Sequence, residues 1–246
     1  MLAGARPIFY GSLRRTAIGR DWRFEEIMRQ AAQVARRAVA MTALAFRASL
    51  EVTDHPRSTE LSGGILGWLE SAGAASELEP IERDLLGTPY RQLDKQQIGD
   101  AHWSGEGAWI LAWAIGHAEL PSLCEPVDCR PLFERLRIMR PEVHDLLTGA
   151  RLRSDDELTT YSVSAWAFRS ELHLRRVGTA RTLLAKIERG RLEELGLAPS
   201  EEIIAETAKL VAGLSDEECQ TAAGPAFVRE YAIFWLFSDH PGYFED

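Results

Sequence analysis

Ala31-Ala32-Gln33-Val34-Ala35-Arg36-Arg37-Ala38-Val39-Ala40-Met41-Thr42-Ala43-Leu44-Ala45-Phe46 is the stretch on which the fold turns. Around it, Ile27, Ala31, Val34, Ala35, Ala38, Met41, Ala45 and Ser49 recur at helical spacing. Neither Gly nor Pro interrupts the pattern before Pro56. Asp21 has the chemistry of an N-cap, with Glu25 and Glu26 placed for the positive end of a helix dipole. The spacing predicts one long helix over about residues 22–52. Its middle, residues 38–46, is apolar on every face and is expected to run through the core.

Working outward, Asp54-His55-Pro56 reads as a turn. A helix carrying Ile65, Leu66, Trp68 and Leu69 follows and stops near Gly73. Glu79-Pro80 puts proline at a first helical position, with Ile81, Leu85 and Leu86 behind it and Gly87 as the stop. A short helix is expected from Asp94, then a tryptophan-rich helix over residues 102–116. Gly105 and Gly107, near the start of the latter, imply close approach to another backbone, and Gly116 suits a C-cap. Prolines 121, 126 and 131 predict an extended surface loop. Helices are expected from Arg130, from Pro141 and from the capping cluster Ser154-Asp155-Asp156-Glu157. Later amphipathic stretches cover about 179–195 and 199–213. Ser215-Asp216-Glu217-Glu218 opens another helix, and Pro225 is expected to restart the last one over 227–237. No alternating strand pattern appears. The reading is an all-α fold, a single compact domain over 21–246 with roughly nine to eleven helices around one long central helix.

Hydrophobic residues make up 46% of the 246, enough for a sizeable core. The net charge of -9 repels phosphate backbones and argues against nucleic acid as a partner. Arg6, Arg14, Arg15 and Arg20 precede the first acidic residue and make residues 1–20 a basic arm, read as a solvated terminus. Cys124, Cys129 and Cys219 are too few for a disulfide framework, and the four-residue gap of the first two spells neither a zinc ribbon nor a redox pair. The longest apolar runs fall far short of the ~20 residues that cross a bilayer. No secretory leader pattern opens the chain. The composition therefore points to a cytoplasmic protein with no membrane partner.

Several separated pieces resemble a bacterial family, domain of unknown function 4272. They are Ala35-Arg36-Arg37-Ala38-Val39-Ala40, Gly67-Trp68-Leu69, Ile81-Glu82-Arg83-Asp84-Leu85-Leu86, and Trp103-Ser104-Gly105-Glu106 with Leu111-Ala112-Trp113-Ala114-Ile115-Gly116. Ala150-Arg151-Leu152-Arg153-Ser154 with Glu157, Trp166-Ala167-Phe168-Arg169, and Arg229-Glu230-Tyr231-Ala232-Ile233-Phe234-Trp235-Leu236 complete the set. The chain departs from the pattern at Val228, Glu230 and Phe234, and residues 171–222 read as a helical insertion. The resemblance implies the fold and assigns no substrate, cofactor or partner.

Glu106 stands out chemically. On a helix it shares a face with Trp103, Ile110 and Trp113. A carboxylate there needs a compensating donor, because burying an unpaired charge is expensive. Arg37, Arg153, Arg169 and Arg229, all in the matched pieces, are the candidate partners, with Arg37 and Arg229 preferred. Two readings stand side by side: a structural ion pair, or an acid–base group lining a pocket. His102 lies four residues before Glu106 and could share a metal with it, but no third ligand has metal spacing, so no metal or other cofactor is expected. Trp68, Trp103, Trp109, Trp113, Trp166 and Trp235 all fall on expected helices, as core or as a pocket wall. No phosphate loop, nucleophile elbow or zinc helix motif is present. The expected function is a non-catalytic helical protein that binds another protein. The alternative is a small-molecule binder or enzyme using Glu106 and clustered arginines.

Overall fold

The computed structural model describes residues 29–53, 55–177 and 200–237. Among them are nine α-helices and no strand. They are α1 (Ala31–Val52), α2 (Ser58–Ala72), α3 (Pro80–Gly87), α4 (Lys95–Ala114), α5 (Arg130–Arg135), α6 (Val143–Gly149), α7 (Asp155–Val177), α8 (Glu201–Gly213) and α9 (Asp216–Leu236), with a 3₁₀ turn over Ala75–Glu77.

The apolar middle of α1 is buried from Val34 to Ala45, Arg36 alone being half-buried. Its principal neighbour is α4, and this pair forms the axis of the fold. Helices α2, α3, α5 and α6 also pack on α1, while α9 packs on α4 and meets α7, which carries α8. Two glycines set the depth of the axis. A Cβ on Gly105 would stand 2.8 Å from the Cys129 Cβ and 3.4 Å from the Ala45 Cβ. One on Gly107 would stand 2.5 Å from the Met41 Cε and 3.3 Å from the Ala232 Cβ. The close approach expected of these glycines is thus made to α1, α9 and the chain entering α5.

Local chemistry explains the helix ends. Asp94 and Ser215 each open a helix with a capping box, closed by Gln97 and Glu218. Glu79 and Glu82 do the same around Pro80. Gly73 and Gly116 close α2 and α4 with positive φ of 71° and 77°.

Three expectations are corrected. The central helix does not run unbroken from residue 22, because Arg29 and Gln30 are not helical. Arg29 turns instead to the end of α9: its N–H donates to the Leu236 carbonyl at 3.0 Å and its Nε to the Trp235 carbonyl at 2.8 Å. The short helix from Asp94 and the tryptophan-rich helix are one, so Gly105 and Gly107 lie inside α4. Pro225 lies inside α9 and restarts nothing. Proline in a helix interior costs about 3 kcal/mol. Here Pro225 is buried in a helix held between α4 and α7. The basic arm 1–20 and the stretch 179–195 lie outside the described residues.

Candidate functional site

Helix α4 carries Glu106 inward, with 4% of its surface exposed, to Arg229 of α9, which is fully buried. The Arg229 Nε donates to Oε2 of Glu106 at 2.8 Å, and Nη2 lies 2.7 Å from the same oxygen. The remaining capacity goes to main chain. Arg229 Nη1 donates to the Ser122 carbonyl at 2.6 Å and Nη2 to the Glu125 carbonyl at 2.7 Å. The Val127 N–H donates to Oε1 of Glu106 at 2.9 Å. One ion pair therefore holds three peptide groups of the proline-bearing loop. Buried charges are tolerated when paired and further hydrogen-bonded, and both conditions are met.

Burial pushes the Glu106 carboxyl above its ordinary range, while the Arg229 charge, the Val127 N–H and, last, His102 pull it back. Tyr161 of α7 is buried in the electrostatic field of this pair. Its ring lies 5.0 Å from that of Trp113, and its hydroxyl, in the field of both Arg229 and Glu106, has no hydrogen-bond partner. Burial raises the phenol well above its ordinary value. Cys129, at the far end of the loop, is also buried, and its thiol is pushed up to about 11, chiefly by desolvation.

The other candidate arginines do not gather here. Arg37 forms a two-pronged pair with Glu82 at 2.6 and 2.8 Å and donates to the Glu77 carbonyl at 2.7 Å. Arg153 donates to the Trp113 carbonyl and to Glu157, both at 2.8 Å. Arg169 pairs with Glu230. Of the candidate partners Glu106 takes Arg229, one of the two preferred, while the clustered arginines of the alternative reading do not form around it. Arg37 and Arg169 pair across helices with Glu82 and Glu230, and Arg153 pairs four residues along the chain with Glu157.

The tryptophans are dispersed as well. Trp113, Trp166 and Trp235 are buried, and Trp68, Trp103 and Trp109 are half-buried. Trp103 lies over Gly224, whose added Cβ would meet its ring at 3.1 Å. Trp109 donates to the Glu119 carbonyl at 2.8 Å, and Trp68 reaches the Arg140 carbonyl at 3.4 Å. Their contacts are made separately, and three of the six lie in the core. His102 is exposed while Glu106 is buried, so the two do not face one position. Among the described residues, no group of three or more His, Cys, Asp and Glu could hold a metal ion.

Residues 35–40, 81–86, 103–116, 150–157 and 166–169, singled out in sequence, fall on α1, α3, α4 and its C-terminal cap, the α7 start and α7. A family model described as a domain of unknown function (DUF4272) matches residues 21–176. The chain belongs to this family. The matched stretch holds Glu106, the loop it binds and Tyr161, whereas Arg229 lies beyond it. No curated protein and no solved structure matches the chain.

Sequence reasoning passed over Arg47, Glu51 and Tyr161. Arg47 is fully buried, pairs with Glu51 and donates to the Thr88 and Pro89 carbonyls at 3.1 and 3.2 Å. An arginine inside an apolar run with a glutamate four residues on was the available signal. Tyr161 offered none, since an aromatic on a helix face is ordinary core.

Proposed function

We propose that this protein is a non-catalytic helical protein of the bacterial cytoplasm that acts by binding another protein. The observation that carries the reading is the saturation of Glu106. One oxygen accepts from Arg229 and the other from Val127, and the guanidinium is turned to loop carbonyls. A general acid or base needs a proton-bearing atom within reach of a substrate, and this carboxylate is committed to scaffold. Arg37 and Arg47 likewise donate to main-chain carbonyls on either side of α3. The charged residues of the family pieces therefore support a framework, which leaves recognition to the surface. Among the described residues, no helix is long and apolar enough to cross a membrane.

In-cell cross-linking of the full chain followed by mass spectrometry tests the reading. A reproducible cross-link to a second protein is expected. Recovery of the chain with a small molecule that native mass spectrometry detects, and without a cross-linked protein, would replace it with the small-molecule reading. The unpartnered Tyr161 hydroxyl is the observation that favours that second reading.

A further inference from the structure

Cys219, Ala222, Ala226 and Arg229 recur at helical spacing along one buried stripe of α9. Arg229 fixes the proline-bearing loop onto this stripe by the carbonyls of Ser122 and Glu125, which bracket Cys124 in the chain. Side chains on a helix lean toward its N-terminus, so the guanidinium carries the loop from Arg229 toward Ala226 and Ala222. That is where the loop packs. Leu123 and Cys124 lie against the apolar cluster that Cys219, Ala222 and Ala226 form with Phe168, Leu172 and Val211. The two alanines put little bulk between the loop and Cys219. The charges felt by the Cys124 thiol agree: after burial itself they are Glu125 beside it, then Glu218 and Cys219. Cys129, five residues on, belongs to another contact. It packs on Gly105 of α4, whose added Cβ would stand 2.8 Å from the Cys129 Cβ and 3.0 Å from its Sγ.

We propose that Cys124 and Cys219 are a modification site, a dithiol that closes reversibly to a disulfide and joins the loop covalently to α9. The half-buried Cys124 meets the reagent, and the buried Cys219 resolves the product. The oxidant is a small disulfide. The Cys124 sulfur, its proton given to water, attacks one sulfur of the reagent; a new S–S bond forms, the old one breaks and a reagent thiolate leaves. The Cys219 sulfur, likewise deprotonated, then attacks the Cys124 sulfur and expels the second reagent thiolate. The dithiol loses two electrons and two protons, and the reagent takes them up as two thiols. Burial and the neighbouring carboxylates hold the Cys124 thiol above its ordinary value, so thiolate is scarce and the first step is slow. The second gains from proximity, because both sulfurs belong to one cluster. Cys124 lies between α4 and α5, outside any helical ladder, so closure unwinds no helix.

Incubation of the folded full-length chain with excess oxidised glutathione, followed by acid quench, alkylation of free thiols and peptide mapping by mass spectrometry, tests the site. A Cys124–Cys219 disulfide is expected to exceed Cys124–Cys129 by at least about tenfold. In guanidinium the preference should reverse, since the loop closed by Cys124 and Cys129 is far shorter and costs less entropy. Cys219→Ser should turn the product into a lasting glutathione adduct on Cys124. A folded wild-type chain that joins Cys124 to Cys129, that keeps glutathione on Cys124 with Cys219 free, or that leaves both thiols unreacted overturns the proposal. So does a folded Cys219→Ser chain without the adduct. The wild-type map decides the matter should the variant fold poorly.

Discussion

Arg37 and Arg229 are both buried and both paired with a glutamate, yet they hold different kinds of structure. Arg37, on α1, grips Glu82 inside α3, a helix whose peptide groups already bond to one another. Arg229, on α9, grips a loop whose carbonyls have no ladder to join. The first clamp positions an element that exists without it. The second stands in for secondary structure. Exposure differs in the same sense: the Glu82 side chain keeps 11% of its surface and that of Glu106 5%. Losing the arginine therefore leaves a more deeply stranded carboxylate, and more orphaned peptide groups, at the Arg229 clamp.

The largest effect is expected there. Glu106→Ala and Arg229→Ala should each destabilise the fold by about 3–5 kcal/mol in denaturant unfolding, because each strands a buried charge. Glu206→Ala, at an exposed position on α8, should stay within about 0.5 kcal/mol and serves as the control. Arg37→Ala and Glu82→Ala should come next, at about 2–3 kcal/mol, since Glu79, 3.7 Å from Arg37, remains when Glu82 is removed and the Glu82 side chain keeps 11% of its surface when Arg37 is removed. Equal losses at the two clamps would break the comparison and show that the proline-bearing loop is held by packing.

A smaller effect sharpens it. Gly107 sets the distance from α4 to α9 one residue away from Glu106, its Cβ position lying 3.3 Å from Ala232 and 3.4 Å from Val228. Gly107→Ala should cost about 1–3 kcal/mol by forcing Met41 and α9 aside. Gly99→Ala, where nothing lies within 4 Å, should be neutral or stabilise by up to about 1 kcal/mol. Thermal melts of both variants separate crowding from helix propensity on one helix.

The smallest effect is in pH. Burial raises the Glu106 carboxyl, so the native state holds its proton more tightly than the unfolded chain does. The stabilisation this supplies is fully present below the unfolded value of about 4.5 and is lost as pH rises through the folded value. The stability of wild type relative to Glu106→Gln should therefore rise as pH falls from neutral toward that value, with the other carboxylates cancelling in the difference. A difference that shrinks on acidification would mean that Arg229 outweighs desolvation.

Much of the framework was legible. The apolar run of α1 announced a central helix, and Gly73, Gly87, Gly116 and Ser154 marked ends near where they occur, because those signals are local. The burial of Glu106 could be read from Trp103, Ile110 and Trp113 on one face. Its partner could not be settled, since Arg37 and Arg229 offer the same chemistry and only the docking of α9 on α4 decides between them. The unity of α4 was missed because a short helix from Asp94 and a tryptophan-rich helix from residue 102 were read separately, whereas the close approach read at Gly105 and Gly107 is made. The break at Arg29 was invisible because its cause, the end of α9, lies 206 positions away. Pro225 was misread for a related reason, as local propensity pointed to an end that tertiary packing overrides.

The Glu106–Arg229 contact spans 123 positions, whereas the Val127 bond to Glu106 spans 21. The short-range bond gains its full value only once the long-range one has brought the guanidinium to the carboxylate. Closing a long chain segment is slow, and contacts that depend on it come late. The loop over residues 119–128 is therefore expected to be the last piece of this region to settle during folding, and the half-buried Cys124 within it would report that moment. A dye on that thiol would register completion of the native state after the helical signal of α1 and α4 has reached its plateau.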